Sequence, residues 1–316
     1  MFLIKDILSI VVPCYNEEES IQIYFNEMEK IRAEMEIDFE YLFINDGSSD
    51  KTLPIIRELA EQNPEKVRYI SFSRNFGKEA ALYAGLEHST GNYVTVMDVD
   101  LQDPPNLLPK MYELLKTAEY DCIGTRRVNR DGEPKIRSLF AKAFYKIINH
   151  ISDTEIVDGA RDYRLMTRQM VDAILQVNEY NRFSKGIFSW VGFHTYYLEY
   201  NNIERETGKT TWSFWSLFKY SLDGIVAFSE VPLVLASFIG LFSFAIAVIL
   251  GIGLAIRTLI FENPTDGWTS IVCLITGLGG LQLFCLGILG NYLGKTYLET
   301  KHRPIYLVKE TESDRR

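Results

Sequence analysis

Two long uncharged stretches toward the C-terminal end constrain this chain more than any other feature. The first runs from Pro232 to Ile256, PLVLASFIGLFSFAIAVILGIGLAI, and the second from Trp268 to Leu293, WTSIVCLITGLGGLQLFCLGILGNYL. A bilayer core of about 30 Å is crossed by about 20 apolar helical residues, so each stretch is long enough to span it. Buried core helices are the alternative, but two uncharged runs of this length are rare in soluble folds. The expected organisation is a polar domain over residues 1–211, an interfacial amphipathic helix over 212–230, a transmembrane hairpin over 231–295 and a tail over 296–316.

The flanks of the hairpin differ in charge. The connection from Arg257 to Gly267 sets one arginine against Glu262 and Asp266, whereas Lys295, Lys301, Arg303, Lys309, Arg315 and Arg316 follow or close the second span. The positive-inside rule then places both ends of the hairpin in the cytoplasm and the short loop outside. The expected location is the plasma membrane, multi-pass, with the polar domain cytoplasmic. Trp215, Phe218, Leu222, Ile225, Val226 and Phe228 recur at roughly helical spacing just before the first span, as in a helix lying in the membrane interface. An ordinary core helix is the alternative there.

A length of 316 residues allows one sizeable domain and a small appendage, and the net charge of -9 argues against a nucleic-acid partner. The four cysteines, Cys14, Cys122, Cys273 and Cys285, have no CxxC spacing, which suits a reduced compartment better than a zinc site or a disulfide framework. The four histidines are scattered. The apolar run from Ile7 to Pro13 is short and reads as a strand, not a signal peptide.

The first third alternates strands and helices. Leu8 to Pro13, Tyr41 to Asp46, Val67 to Ser73, Tyr93 to Asp100 and Asp121 to Arg126 read as strands. Asn16 to Met35, Thr52 to Gln62, Lys78 to His88 and Asn106 to Ala118 read as helices, with Glu17, Glu18 and Glu19 in the first turn of the first, where acids suit the helix dipole. A further helix is expected around Leu139 to Asn149. The pattern predicts an α/β fold, a mostly parallel sheet with helices on both faces.

Ligands of such sheets bind outside the carboxyl ends of the strands, and here those ends are polar. Strand one ends Pro13-Cys14-Tyr15-Asn16-Glu17, strand two Asn45-Asp46-Gly47-Ser48-Ser49-Asp50, and strand four Asp98-Val99-Asp100-Leu101-Gln102-Asp103. Three such ends on one edge make a candidate site. Of Asp98 and Asp100, one is free to take a divalent cation while the other orients a sugar or a metal-bound water. Mg2+ or Mn2+ takes one or two carboxylates and completes its shell with waters and phosphate oxygens.

VVPCYNEEES, NDGSSD and DVDLQDPP, in that order, resemble the family 2 glycosyltransferases. Asn45 stands where that family usually has Asp, and Asp46 keeps the second position. SRNFGKEAAL, DLQDPP, DYRLMTR and the C-terminal hairpin resemble, more narrowly, the polyprenyl-phosphate glycosyltransferases, over essentially the whole chain. The resemblance implies a GT-A-type domain and inverting transfer of a sugar from a nucleotide donor to a lipid monophosphate. Glucose from UDP-glucose is the favoured donor, with UDP-N-acetylglucosamine and GDP-mannose as alternatives. It implies donor contacts from Pro13, Tyr15, Asn16, Glu17, Asp46, Asp98, Asp100 and Gln102, a metal at Asp100 and Asp98, and catalytic roles for Asp162 and Asp100. Asp158 is the nearby rival to Asp162. Among the cations after strand five, the GTR, YRL and RETGKTTW matches select Arg126, Arg164 and Arg205 for the acceptor phosphate. A processive synthase would need more than two spans, and a membrane adaptor or flippase component with a degenerate domain is the reading from another class. A homo-oligomer is left open.

Overall fold

The computed structural model describes residues 6–128, 146, 148–152, 154, 156–200, 224–261 and 267–315. The described strands are β1 (Ile7–Cys14), β2 (Asp38–Asn45), β3 (Val67–Phe72), β4 (Tyr93–Val96), β5 (Cys122–Arg127), β6 (Ala160–Thr167), β7 (Thr195–Tyr200) and β8 (Val308–Thr311). They form one sheet in the order β7-β5-β6-β4-β1-β2-β3-β8. Pairing is parallel for β1 with β2 and β4, β2 with β3, and β5 with β7. It is antiparallel where β6 inserts between β4 and β5 and where β8 joins β3. The fold is the expected α/β arrangement, a mixed and mostly parallel sheet.

Helices cover both faces. On one face α1 (Ile21–Ala33), α2 (Thr52–Gln62) and α4 (Leu108–Lys116) bury Tyr24, Met28, Ile56, Met111 and Leu115 against Ile10, Tyr41 and Phe43. On the other, α3 (Lys78–His88), α5 (Arg168–Gln176) and α6 (Ser184–Trp190) pack Ala81, Leu82, Met170 and Ile187 against Val11, Leu42 and Val96. Because β1 and β2 are buried on both faces, they read as continuous apolar runs. At Gly85 the helix lies directly on the sheet, where an added Cβ would sit 2.1 Å from Val11 Cγ1.

Three local readings change. Helix α1 begins at Ile21, not Asn16, and has no acid in its first turn. Glu17 and Glu18 instead lie in a turn stitched to the start of α2: Glu17 N–H donates to Thr52 Oγ1 (2.8 Å), and Lys51 N–H donates to Glu18 Oε2 (2.9 Å). The fourth strand stops at Val96, not Asp100, so Asp98 and Asp100 lie beyond it in the segment that turns at Leu101 (φ +54°). The 296–316 segment, expected as a tail, returns to the sheet as β8.

Helices α7 (Val231–Phe261) and α8 (Trp268–Thr300) pack on one another. Both are long and apolar enough to cross a membrane, over Val231–Gly253 and Leu274–Thr300. Their large side chains, among them Leu241, Phe242, Ile249 and Leu283, are exposed, an apolar surface of the kind that marks a membrane or protein contact. Residues 201–223, which include most of the expected interfacial helix, and most of the expected 139–149 helix lie outside the described residues.

Candidate active site

The antiparallel insertion of β6 builds the centre of the site. Val96 pairs with Arg164, and continuing that register by two residues sets Asp162 opposite Asp98. Lys78, the first residue of α3, stands over both. Its Nζ lies 2.8 Å from Asp98 Oδ1 and 2.7 Å from Asp162 Oδ2. All three side chains are partly exposed, as groups at the rim of a cleft should be. Among the described residues Lys78 is the only hydrogen-bond donor to either carboxylate.

Burial by itself would raise the Asp162 carboxyl. The charge of Lys78, with Lys185 and Arg164 behind it, outweighs burial and holds the group well below the usual carboxylate range. Burial would likewise lower Lys78, but Asp162 and Asp98 together push it above an ordinary lysine. Asp162 and Lys78 are therefore both ionised at neutral pH. Asp162 is a fixed negative charge and a poor proton acceptor.

The strand-end segments interlock around it. Asn16, at φ +56°, accepts from Ser49 N–H through Oδ1 (2.9 Å), and its own N–H donates to Ser48 Oγ (3.0 Å). Tyr15 is exposed and Pro13 half-buried at the end of β1. Asp46 is 4% exposed, and its two oxygens accept from Phe76 N–H (2.6 Å) and Gly77 N–H (3.0 Å). Burial raises its pKa, with those two amides pulling the other way. Expected among the donor contacts, Asp46 holds the loop that leads into Lys78 through its amides. Gly47 (φ +66°) is required beside it, because a Cβ there would lie 2.4 Å from the Arg74 carbonyl carbon.

Asp100 Oδ1 accepts from Gln102 N–H (3.1 Å), closing the turn after β4. Asp98 and Asp100 offer the hard oxygen donors that Mg2+ or Mn2+ takes. No group of three His, Cys, Asp or Glu forms a metal cluster among the described residues, so the donor set suits a cation that completes its shell with waters and ligand phosphates.

Arg126, at the end of β5, lies on the same sheet edge. Its Nε donates to the Asp158 carbonyl (3.0 Å) and Nη1 approaches Glu199 (3.7 Å). Asp158 thus meets Arg126 through its backbone. Arg164 is 2% exposed, its guanidinium stacked 3.7 Å over the Phe188 ring and donating to the Arg161 carbonyl (2.9 Å). That places it behind Asp162, not in the cleft, where it supports the carboxylate by charge. Arg205 lies outside the described residues.

Two groups were not legible as site residues in the sequence. Lys78 stood inside the FGKEAAL motif, but only the tertiary fold reveals that it joins Asp98 to Asp162. Asp103, 2% exposed, accepts from Arg161 Nε (3.0 Å) and Tyr200 OH (2.5 Å), anchoring the Asp98–Asp103 turn to β6 and β7. Period-two alternation along β6 sends Asp162 and Arg164 to one face and Arg161 and Tyr163 to the other.

Residues 9–175 match the family described as Glycosyl transferase family 2. The chain is 44% identical to the putative glycosyltransferase CsbB of Bacillus subtilis, over 97% of this chain and 92% of that protein. It is 43% identical to the bactoprenol glucosyl transferase of Shigella phage SfX, over 96% of this chain and 98% of the phage protein. Among solved structures, glucosyl-3-phosphoglycerate synthase from Mycobacterium tuberculosis, in complex with Mn2+, UDP-glucose and phosphoglyceric acid, superimposes with a TM-score of 0.46 at 19% identity, covering 70% of this chain and 78% of that one. Motifs, family match and full-length relatives agree: the chain belongs to glycosyl transferase family 2.

Proposed function

We propose that this protein is an inverting glycosyltransferase that moves glucose from UDP-glucose to a polyprenyl monophosphate, undecaprenyl phosphate, at the cytoplasmic face of the plasma membrane. The observation that carries the reading is the Asp98–Lys78–Asp162 cluster at the carboxyl edge of the sheet, in a chain that also carries two exposed apolar helices. The bactoprenol glucosyl transferases that resemble the chain over nearly its full length support it.

In this reading UDP lies across the ends of β1 and β2 and the turn after β4, against Pro13, Tyr15, Asn16, Glu17 and Gln102. Asp46 shapes the floor from below. The acceptor phosphate is already mostly dianionic at neutral pH, its second pKa lying near about 6. It needs no strong base, which suits an Asp162 held fully ionised. Asp162 orients the sugar, with Lys78 fixing its carboxylate. Arg126 and Arg205 bring the acceptor phosphate toward the donor. An acceptor phosphate oxygen forms the new bond to the anomeric carbon from the face opposite the departing UDP, which leaves with the bonding electron pair, so the centre inverts. Mg2+ or Mn2+, held by Asp100 with Asp98 beside it, supplies charge neutralisation to the departing diphosphate. The helices α7 and α8 form a hairpin with both ends cytoplasmic.

Purified protein given undecaprenyl phosphate, Mn2+ and a panel of UDP-glucose, UDP-N-acetylglucosamine and GDP-mannose should glucosylate the lipid and leave the other two donors largely unused. Preference for another donor would reassign the sugar. No transfer from any donor would sink the reading in favour of a non-catalytic membrane adaptor. A tag placed in the 262–267 loop should be accessible outside cells, and one at the C-terminal end only after permeabilisation. The reverse would separate the catalytic unit from cytosolic nucleotide sugars.

A further inference from the structure

The C-terminal end of α8 reaches the catalytic cluster through side chains outside the cleft. Glu299 lies beyond the uncharged run that ends at Leu293, just before α8 closes at Thr300. Its Oε1 accepts from Asn181 N–H (3.0 Å) and Asn181 Nδ2 (2.9 Å), and its Oε2 accepts from Tyr180 N–H (3.0 Å). Asn181 Nδ2 also reaches the Lys295 carbonyl (3.4 Å). Two successive loop amides that converge on one carboxylate make a charge-assisted contact, stronger than the same amides would make to a neutral acceptor.

The same loop is fastened to α3. The Arg182 guanidinium lies 4.5 Å from the Tyr83 ring centroid, and its Nη1 donates to the Val177 carbonyl. Ser184, the first residue of α6, donates to Glu79 Oε2 through its N–H (3.0 Å) and its hydroxyl. Glu79 is the neighbour of Lys78 in the first turn of α3. That turn is held on one side by Asp46, through the Phe76 and Gly77 amides, and on the other by the Glu79–Ser184 contact. Helix α6, which starts where the loop ends, supplies the Phe188 ring against Arg164 and the Lys185 charge that acts on Asp162. Moving the loop therefore shifts groups on both sides of the Lys78–Asp162 contact.

We infer that Glu299 is a positioning residue for sugar transfer: it seats the 180–184 segment on the end of α8, and that segment sets Lys78 through Glu79 and Asp162 through α6. The inference rests on the transferase reading above, with Lys78 and Asp162 at the reacting centre. Glu299 acts through these two joints, not on the substrate. A misplacement of about 1 Å can cost roughly a hundredfold in rate, so its loss should appear in kcat. The donor contacts at the ends of β1 and β2 and in the turn after β4 belong to other segments, so UDP binding should not follow.

The full chain in nanodiscs should be assayed with UDP-glucose and undecaprenyl phosphate. Glu299→Ala should lower kcat roughly ten- to a hundredfold, with donor KM and calorimetric UDP affinity unchanged. Glu299→Gln keeps one acceptor oxygen but turns an amide donor toward the other loop amide, so its kcat should fall between those of Glu299→Ala and wild type. Glu79→Ala should lower kcat as well, and the double variant should lose no more than the larger single loss, as two links of one path do. Hydrogen exchange, measured without substrate, should quicken over 180–190 in Glu299→Ala and stay unchanged in β1 and β2. Wild type that transfers no sugar sinks the transferase reading, and the exchange measurement then decides the joint alone. Unchanged kcat in Glu299→Ala, additive losses with Glu79→Ala, a parallel rise in donor KM, or a lower melting temperature with kcat intact would overturn the role. Unchanged exchange over 180–190 would overturn the joint itself.

Discussion

Two ionic clusters in this sheet have the same inventory, one cation between two acids, and opposite character. Near the amino end of β1, Arg68 joins Glu40 (2.7 Å) to Glu312 (3.0 Å). Glu40 also accepts from the Ser9 hydroxyl, the Thr90 N–H (2.9 Å) and the Thr90 hydroxyl (3.0 Å). At the carboxyl edge, Lys78 joins Asp98 to Asp162, and neither acid accepts from any other described residue. A carboxylate offers about four acceptor positions. Glu40 has filled them from the protein and is 8% exposed. Asp98 and Asp162 keep most of theirs for something that enters the cleft. The difference between a structural ion cluster and a site lies in how many lone pairs the fold leaves unspent, not in the charges present.

The largest effects should therefore fall on the unsaturated cluster. Asp100→Ala should lower turnover by orders of magnitude even at saturating Mn2+, with thermal unfolding little changed, because the side chain sits in a rim turn outside the core. Lys78→Met should do the same by releasing Asp98 and Asp162 from their shared cation. Near-normal transfer by either purified variant would break the contrast. Asp162→Asn sharpens it. If Asp162 is a fixed charge and not a base, the variant loses turnover while the acidic limb of the rate profile stays near about pH 6, set by the acceptor phosphate. A limb that disappears in Asp162→Asn would make the residue a proton acceptor after all.

The legibility of the chain follows the same division. Strands β1 to β5 were readable because each is a short apolar run bounded by turn residues, and α7 and α8 because uncharged runs, Pro232 to Ile256 and Trp268 to Leu293, make up most of each. Strand β6 was not. ARDYRLMT mixes charged residues into an apolar run, and its arginines are accommodated by partners remote in sequence: half-buried Arg161 by Asp103, buried Arg164 by the Phe188 ring. Strand β8 was missed because VKET is polar, and only its antiparallel pairing with β3, fastened by Arg57 and Tyr69 on Glu310, makes it a strand. The site's acids stood in motifs at strand ends. What they face depends on β6 running antiparallel beside β4, a topological fact with no local signal. Asp46 is a further case: its motif position at the end of β2 was legible, but that its oxygens accept from the Phe76 and Gly77 amides was not.

The saturated cluster should answer in stability. Glu40→Gln should cost about 2–3 kcal/mol, the scale of charged hydrogen bonds left partly unpaired, with kcat unchanged; a change in kcat without loss of stability would contradict its assignment. Burial by itself would raise the Glu40 pKa, but the Ser9 hydroxyl, Thr90 and Arg68 more than offset it, so its folded value is lowered. The sign follows. This stabilisation is complete above the ordinary glutamate pKa of about 4.3 and is lost as pH falls through the lower folded value. Acid unfolding followed by circular dichroism should be less steep in Glu40→Gln than in wild type below about pH 4. Identical slopes would show that the cluster is not what acid disrupts.

The smallest effect tests the returning C-terminal segment, which neither ionic cluster explains fully. Arg57 meets Glu310 in a bidentate pair, Nε to Oε1 at 2.7 Å and Nη2 to Oε2 at 2.5 Å, and Tyr69 OH donates to the same carboxylate (3.2 Å). The pair is about one-fifth exposed, 23% for Arg57 and 17% for Glu310, so solvent screens part of its attraction. A double-mutant cycle with Arg57→Ala and Glu310→Ala should give a coupling of about 1 kcal/mol, toward the upper end for surface pairs because the geometry is bidentate. The pair ties β8 to α2, and Tyr69 ties the same carboxylate to β3; because β8 follows α8, loss of the pair should loosen the catalytic sheet from the apolar helices before it unfolds the sheet. Limited proteolysis between Thr300 and Val308 should therefore quicken in Glu310→Ala while the melting of the sheet shifts only slightly. Unchanged proteolysis with a large fall in melting temperature would mean that β8 belongs to the folding core of the sheet and is not a strap tying it to the membrane helices.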